Sequence, residues 1–163
     1  MCLLTIEFKE VFDRISHSCL YAILWEYGFS EGFPERIQRI YTNATSTLSM
    51  NRNRSKPIPI QSSVRQGCPL SMSLFVLCLS PLPNALEKKL TGVKVGRQGT
   101  VIARADDVTI VVSKPDDILI IREMLKIYEE ATGAKINIQK SKVLALGSWN
   151  TSLQIMEYHI MRK

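Results

Sequence analysis

The chain has 163 residues, 45% hydrophobic and 22% charged, a balance that builds one domain with a sizeable core and excludes a disordered class. Twenty-one Lys and Arg against fifteen Asp and Glu leave a net charge of +6, which is compatible with a polyanionic partner but does not demand one. The four cysteines form no Cys-x-x-Cys pair and only two histidines accompany them, which argues against structural zinc and for thiols in a reducing compartment.

Cys2 to Ile6 is strand-like and begins abruptly, so the chain reads as a piece of something longer. Ser16 caps a predicted helix reaching about Tyr27, with Leu20, Leu24 and Tyr27 on one face and Gly28 ending it. A second helix is predicted from Gly32, with Pro34 in its first turn and Ile37, Ile40 and Tyr41 facing inward. Ser46 to Asn51 and Pro57 to Gln61 read as two strands joined by a basic turn from Arg52 to Lys56, either a solvated hairpin tip or a phosphate contact. From about Leu70 to Leu90 the leucine spacing predicts a long helix, bent or interrupted by Pro81 and Pro83. The longest apolar run, Leu74 to Leu79, is far too short to span a bilayer and no charged leader opens the chain, so no membrane partner is expected. A strand pair around Asp106 comes next. A helix then starts at Pro115 to Asp117, buries Ile118, Ile121, Leu125 and Tyr128, and stops at Gly133; Lys142 to Leu146 is a last strand. The fold class is therefore α+β, with helices packed on one face of a mostly antiparallel sheet.

Asp106 and Asp107 sit at the tip of that apolar strand pair. Adjacent carboxylates repel unless a cation neutralises them, and Mg2+ takes one or two carboxylates together with substrate phosphates. The alternative is that Asp is simply a common turn residue. Three further segments accompany the pair: Ile6 to His17, the loop Val64-Arg65-Gln66-Gly67-Cys68-Pro69-Leu70-Ser71, and Gly133 to Lys142. In the loop, Gly67 permits close backbone approach, Gln66 offers a hydrogen-bonding amide, and Arg65 supplies charge.

In this order the segments resemble the palm of the reverse transcriptases of non-LTR, LINE-type retrotransposons. The resemblance covers roughly residues 3 to 150, and the loop, an eight-residue run of mixed chemistry, is its most specific part. It implies an RNA-directed DNA polymerase domain that works on an RNA template, a DNA primer and dNTPs, with two Mg2+ ions, or Mn2+ in their place. Residues 1–150 would be a partial palm domain and 151–163 the truncated start of the following segment; most of the fingers and the thumb would belong to a longer polyprotein. By the resemblance Asp106 and Glu7 hold the metals, Asp107 assists, and the Phe8 carbonyl completes a coordination shell. Phe12 matches the aromatic that packs under the sugar and disfavours a 2′-hydroxyl; the alternative is a core aromatic. Gln66, Gly67 and Arg65 bind nucleotide, and Lys140 or Lys142 donates a proton or contacts phosphate, unless both are merely solvated.

The chain also departs from the family pattern. Glu7 stands where the family has Asp, Arg104 where it has an aromatic, and Glu10 where Lys is common. Arg104 is expected on the same strand face as Asp106, where it can pair with a carboxylate that should stay free for metal. The reading is an impaired, truncated polymerase domain; the alternatives are a catalytically silent nucleic-acid-binding remnant using Arg52, Arg54, Lys56 and Arg65, or a relic without function. Its residence is intracellular, with nucleus and cytoplasm both open.

Overall fold

A computed structural model describes residues 1–92, 100–104 and 107–146, and the backbone of residues 159–162. Strand β1 (Cys2–Lys9) alternates strictly: Cys2, Leu4, Ile6 and Phe8 are buried while Leu3, Thr5 and Glu7 are half-buried on the other face. That period-two pattern places one face on a core and leaves the other open. Helices α1 (Val11–Arg14), α2 (His17–Glu26) and α3 (Gly32–Tyr41) follow. Ser16 caps α2, its Oγ accepting the Cys19 N–H, and Gly28 takes φ +70° just past its end. Leu20, Leu24, Ile37 and Tyr41 are buried as their spacing predicts, but Tyr27 and Ile40 are exposed. Tyr27 instead turns its hydroxyl outward, donating to Ser80 Oγ at 2.8 Å.

The next segment departs from a single simple hairpin. Short strands β2 (Thr45–Ser46) and β5 (Ile58–Pro59) pair with each other, and between them β3 (Ser49–Met50) pairs with β4 (Asn53–Arg54). The tip is Asn51-Arg52, not the basic run 52–56, and both residues have positive φ, as a two-residue type I′ turn requires. The strands twist correctly only through such a turn, and Asn tolerates it.

The predicted long helix is two, α4 (Pro69–Leu79) and α5 (Pro81–Lys89), meeting at Ser80. Pro81 has no N–H for the Leu77 carbonyl; Ser80 Oγ donates to it instead, at 2.9 Å. The run Pro69–Lys89 is long and apolar enough, by length and composition alone, to cross a bilayer, which the shorter run Leu74 to Leu79 did not suggest. Here Leu74, Phe75, Cys78, Leu79, Leu82 and Leu86 of that run are buried in the protein core. Burial pushes the Cys78 thiol up to about 12.

Strands β6 (Val101–Arg104) and β7 (Asp107–Val112) form the expected hairpin, with Arg104 paired to Asp107. The Glu87 carboxylate on α5 accepts the N–H groups of Thr100 and Val101, each at 3.0 Å, which anchors the edge of β6. Helix α6 (Asp117–Thr132) buries Ile118, Ile121, Met124, Leu125 and Tyr128. Strands β8 (Lys135–Ile136), β9 (Lys142–Ala145) and β10 (His159–Arg162) complete a sheet of order β10-β9-β1-β7-β6, with β8 on the far end of β1. Among the described residues every pair in this sheet is antiparallel except β9 with β10. The core lies between the even-numbered face of β1 and helices α2, α4, α5 and α6.

Gly133 ends α6 at φ +81°, and a Cβ there would stand 2.8 Å from the Arg14 carbonyl oxygen. Gly133→Ala is therefore expected to cost about 2 kcal/mol or more, since it adds a backbone clash to the left-handed penalty. Gly28→Ala meets nothing within 4 Å and should lose only the conformational part. Urea midpoints of the two variants check the difference.

Candidate functional site

The open face of the sheet carries the polar residues. Register places Glu7 opposite Asp107 across β1 and β7, and Asp107 opposite Arg104 across β7 and β6. Directly paired residues project to the same face, so two carboxylates and a guanidinium stand in one row, with Thr5 and Thr109 hydrogen-bonded in the next (Oγ1 to Oγ1 3.3 Å). Arg104 thus has Asp107 as its register partner; Asp106 and Ala105 lie outside the described residues.

Glu7 is fixed from behind. Its N–H donates to Ser141 Oγ (3.1 Å), its carbonyl accepts the Asn137 N–H (2.7 Å), and its carboxylate accepts from Lys140 Nζ (2.8 Å). Lys140 is mostly exposed, so this pair contributes about 0.2–1 kcal/mol to stability. Its larger consequence is electrostatic, because the ammonium offsets the charge of the Glu7 carboxylate. Lys142, the alternative to Lys140, pairs with Thr5 in β9 and does not line the cleft.

That cleft, of about 480 Å³, is lined by Glu7 to Glu10, Phe12, Asp13, Gln66, Asn137 and Lys140. Phe8 is buried, its ring 5.6 Å from that of Tyr128. Phe12 lines the cleft, and its ring lies 5.0 Å from that of buried Phe75. A second cleft, about 260 Å³ behind the sheet, is lined by apolar residues such as Ile23, Leu82 and Met124 with Cys19 and Cys78, and offers no charge for phosphate or metal.

The loop Arg65 to Cys68 is a tight turn closed by the Cys68 N–H on the Arg65 carbonyl (3.2 Å), with Gly67 at φ +80° and open space where a Cβ would lie. Neighbouring helices set its pose. Ser63, strained at φ 100°, donates its N–H to the Ile15 carbonyl and accepts from His17 Nε2 at 2.9 Å. The Val64 N–H meets the Phe12 carbonyl at 2.7 Å, and the Arg65 N–H reaches Tyr41 Oη. Gln66 alone of the loop's expected nucleotide contacts enters the cleft, while the exposed Arg65 and Gly67 stand outside it. Cys68 caps α4, and the Leu70 N–H, with help from Ser71 and Arg65, holds its thiol below the ordinary range.

Several site residues escaped sequence reasoning. Asp13, Asn137 and Ser141 act through contacts to Gln66 and Glu7 that no local pattern announces. One missed signal was in plain view: residues 36–86 hold six Arg and Lys, and no Asp or Glu, so their +6 equals the net charge of the whole chain. Within that stretch residues 45–59 are exposed throughout, including Leu48, Met50, Arg52, Arg54 and Lys56.

Among the described residues no group of three or more His, Cys, Asp or Glu is gathered closely enough to hold a metal ion. Glu7 and Asp107 stand as direct cross-strand neighbours, two carboxylates on one face of the sheet.

The sequence matches the family described as "Reverse transcriptase (RNA-dependent DNA polymerase)" over residues 1–160. It is 32% identical over 151 residues to the transposon TX1 149 kDa protein of Xenopus laevis, covering 91% of this chain and 12% of that protein. It is 28% identical over 136 residues to the Pol polyprotein of the retrotransposable element R2DM of Drosophila melanogaster, covering 83% of this chain and 13% of that protein. The chain thus spans about an eighth of the length of these relatives. In fold it is similar to apo telomerase from Candida tropicalis, truncated from its C-terminal domain: TM-score 0.64, 15% identity, 93% of this chain and 31% of that one.

Proposed function

Because the chain belongs to the reverse transcriptase (RNA-dependent DNA polymerase) family, we propose that it supplies the palm of a LINE-type retrotransposon polymerase that copies an RNA template onto a DNA primer. The observation that carries this reading is the row formed by Glu7 and Asp107 at the open end of the central strand, beside the cleft that Gln66 enters. Asp106, Asp107 and Glu7 would hold two Mg2+ ions, with Mn2+ as a substitute, and the metals would supply activation of the primer 3′-hydroxyl and charge stabilisation at the leaving pyrophosphate. Phe12 forms the floor on which a sugar would rest, backed by Phe75. Gln66 offers hydrogen bonds, and Lys140 lies within reach of Glu7 and of a phosphate at the same place. Fingers and thumb would come from segments beyond residues 1–150.

Primer extension on an RNA template by the full-length protein tests the reading: Mg2+-dependent incorporation is expected, and Asp106→Asn or Asp107→Asn should abolish it. A second reading, binding without catalysis, is favoured by the acid-free stretch 36–86. Its mark is affinity for nucleic acid that falls steeply with salt, with a slope reduced by roughly one for each of Arg52, Arg54 or Lys56 removed, and no incorporation under any condition.

A further inference from the structure

The loop Arg65 to Cys68 is entered through a short run, residues 61–64, that lies along residues 12–17. Main-chain bonds join the two: the Ser63 N–H donates to the Ile15 carbonyl at 2.9 Å, the Val64 N–H to the Phe12 carbonyl at 2.7 Å, and the His17 N–H to the Gln61 carbonyl at 3.4 Å. Ser63 nonetheless has φ 100°, a conformation that glycine adopts freely and that serine keeps only when its surroundings hold it there. The carbonyl of that residue is held by a side chain, His17 Nε2 at 2.9 Å. A carbonyl only accepts, so Nε2 is the nitrogen that carries the proton. His17 and Tyr41 are each only 8% exposed, their rings lie 4.8 Å apart, and Tyr41 Oη accepts the Arg65 N–H at 3.4 Å. The clamp therefore works from the protein interior, behind the loop.

Resting on the polymerase reading above, we infer that His17 is a positioning residue: its Nε2–H offsets the strain at Ser63 and so holds the Arg65-Gln66-Gly67 turn in the pose that brings Gln66 into the cleft. Strain of this kind corresponds to about a 5- to 100-fold preference for a relaxed backbone, and one hydrogen bond in a partly buried place is of the same order. With the bond, the strained pose dominates. Without it the peptide between Ser63 and Val64 turns, the N–H groups of Val64 and Arg65 leave their partners, and the loop is competent for nucleotide only a fraction of the time. Apparent nucleotide affinity falls by that fraction, while saturating nucleotide draws the loop back.

Two measurements on the full-length protein test the inference: amide hydrogen exchange across residues 63–66, and the KM and kcat for dTTP in primer extension on an RNA template. His17→Phe keeps an aromatic ring against Tyr41 but has no N–H. It should speed exchange at Val64 and Arg65 by about 5- to 100-fold with the amides of α6 unchanged, and raise KM by a similar factor with kcat and template–primer affinity unmoved. His17→Gln, whose amide N–H reaches the same carbonyl, should bring both readouts back to within about twofold of the parent. Ser63→Gly removes the strain, so adding His17→Phe to it should move exchange and KM by less than about twofold, whereas lost packing at His17 would cost the same with either residue at position 63. Equal effects of His17→Phe in the two backgrounds, or no effect in the parent, overturn the inference and leave the polymerase reading standing. Exchange as expected with no nucleotide incorporation by the parent overturns that reading, and with it the role inferred for the clamp.

Discussion

Replacing Glu7 by Asp and Arg104 by Tyr together is expected to raise Mg2+-dependent nucleotide incorporation by about 10²-fold, the scale of a ligand misplaced by an ångström. Glu carries its carboxylate one methylene further out than Asp, and Mg2+ demands near-octahedral geometry at short distances. The backbone has no freedom to retreat, because the Glu7 N–H and carbonyl are held by Ser141 and Asn137 and the strand is paired on both sides. Arg104, opposite Asp107, places a permanent cation in the row where the proposed divalent ion would bind. Both departures would act on the one proposed metal centre, so the double variant should exceed either single variant. An unchanged rate in a full-length double variant that still binds template and primer would sink the idea that these residues impair the chain.

Phe75→Ala is expected to lower stability by about 3–5 kcal/mol, a large share of what a domain of this size possesses. Phe75 is 1% exposed in the centre of α4 and packs against Phe12. Truncation leaves a void beside helices α1, α2 and α5, which pack on α4. A chemical-denaturation midpoint measures the loss. The milder Phe75→Leu separates stability from function: it should keep the fold while loosening Phe12, and so weaken discrimination between deoxyribo- and ribonucleotides. Equal discrimination in Phe75→Leu and the parent would show that Phe12 does not depend on this support.

Much of the fold was legible because its signals are local. The first strand, the Ser16 cap, the Gly133 stop and the buried stripe of α6 each lie within one or two turns of chain, and the structure reproduces them. The hairpin excursion was misread because strands two residues long carry almost no period, and the turn is set by which residues accept positive φ. Tyr27 and Ile40 fit a helical stripe, yet neighbouring helices do not cover them.

The sequence by itself determined the family and the order of the motifs, since an Arg-Gln-Gly-Cys-Pro-Leu-Ser run carries its chemistry in its letters. Only the tertiary structure decided that Lys140 sits on Glu7 across 133 residues, that Asp13 meets Gln66 across 53, and that Arg104 faces Asp107 with Glu7 on its other side. Such meetings depend on sheet register and helix packing, where a one-residue slip turns a side chain to the opposite face, and no local pattern encodes them.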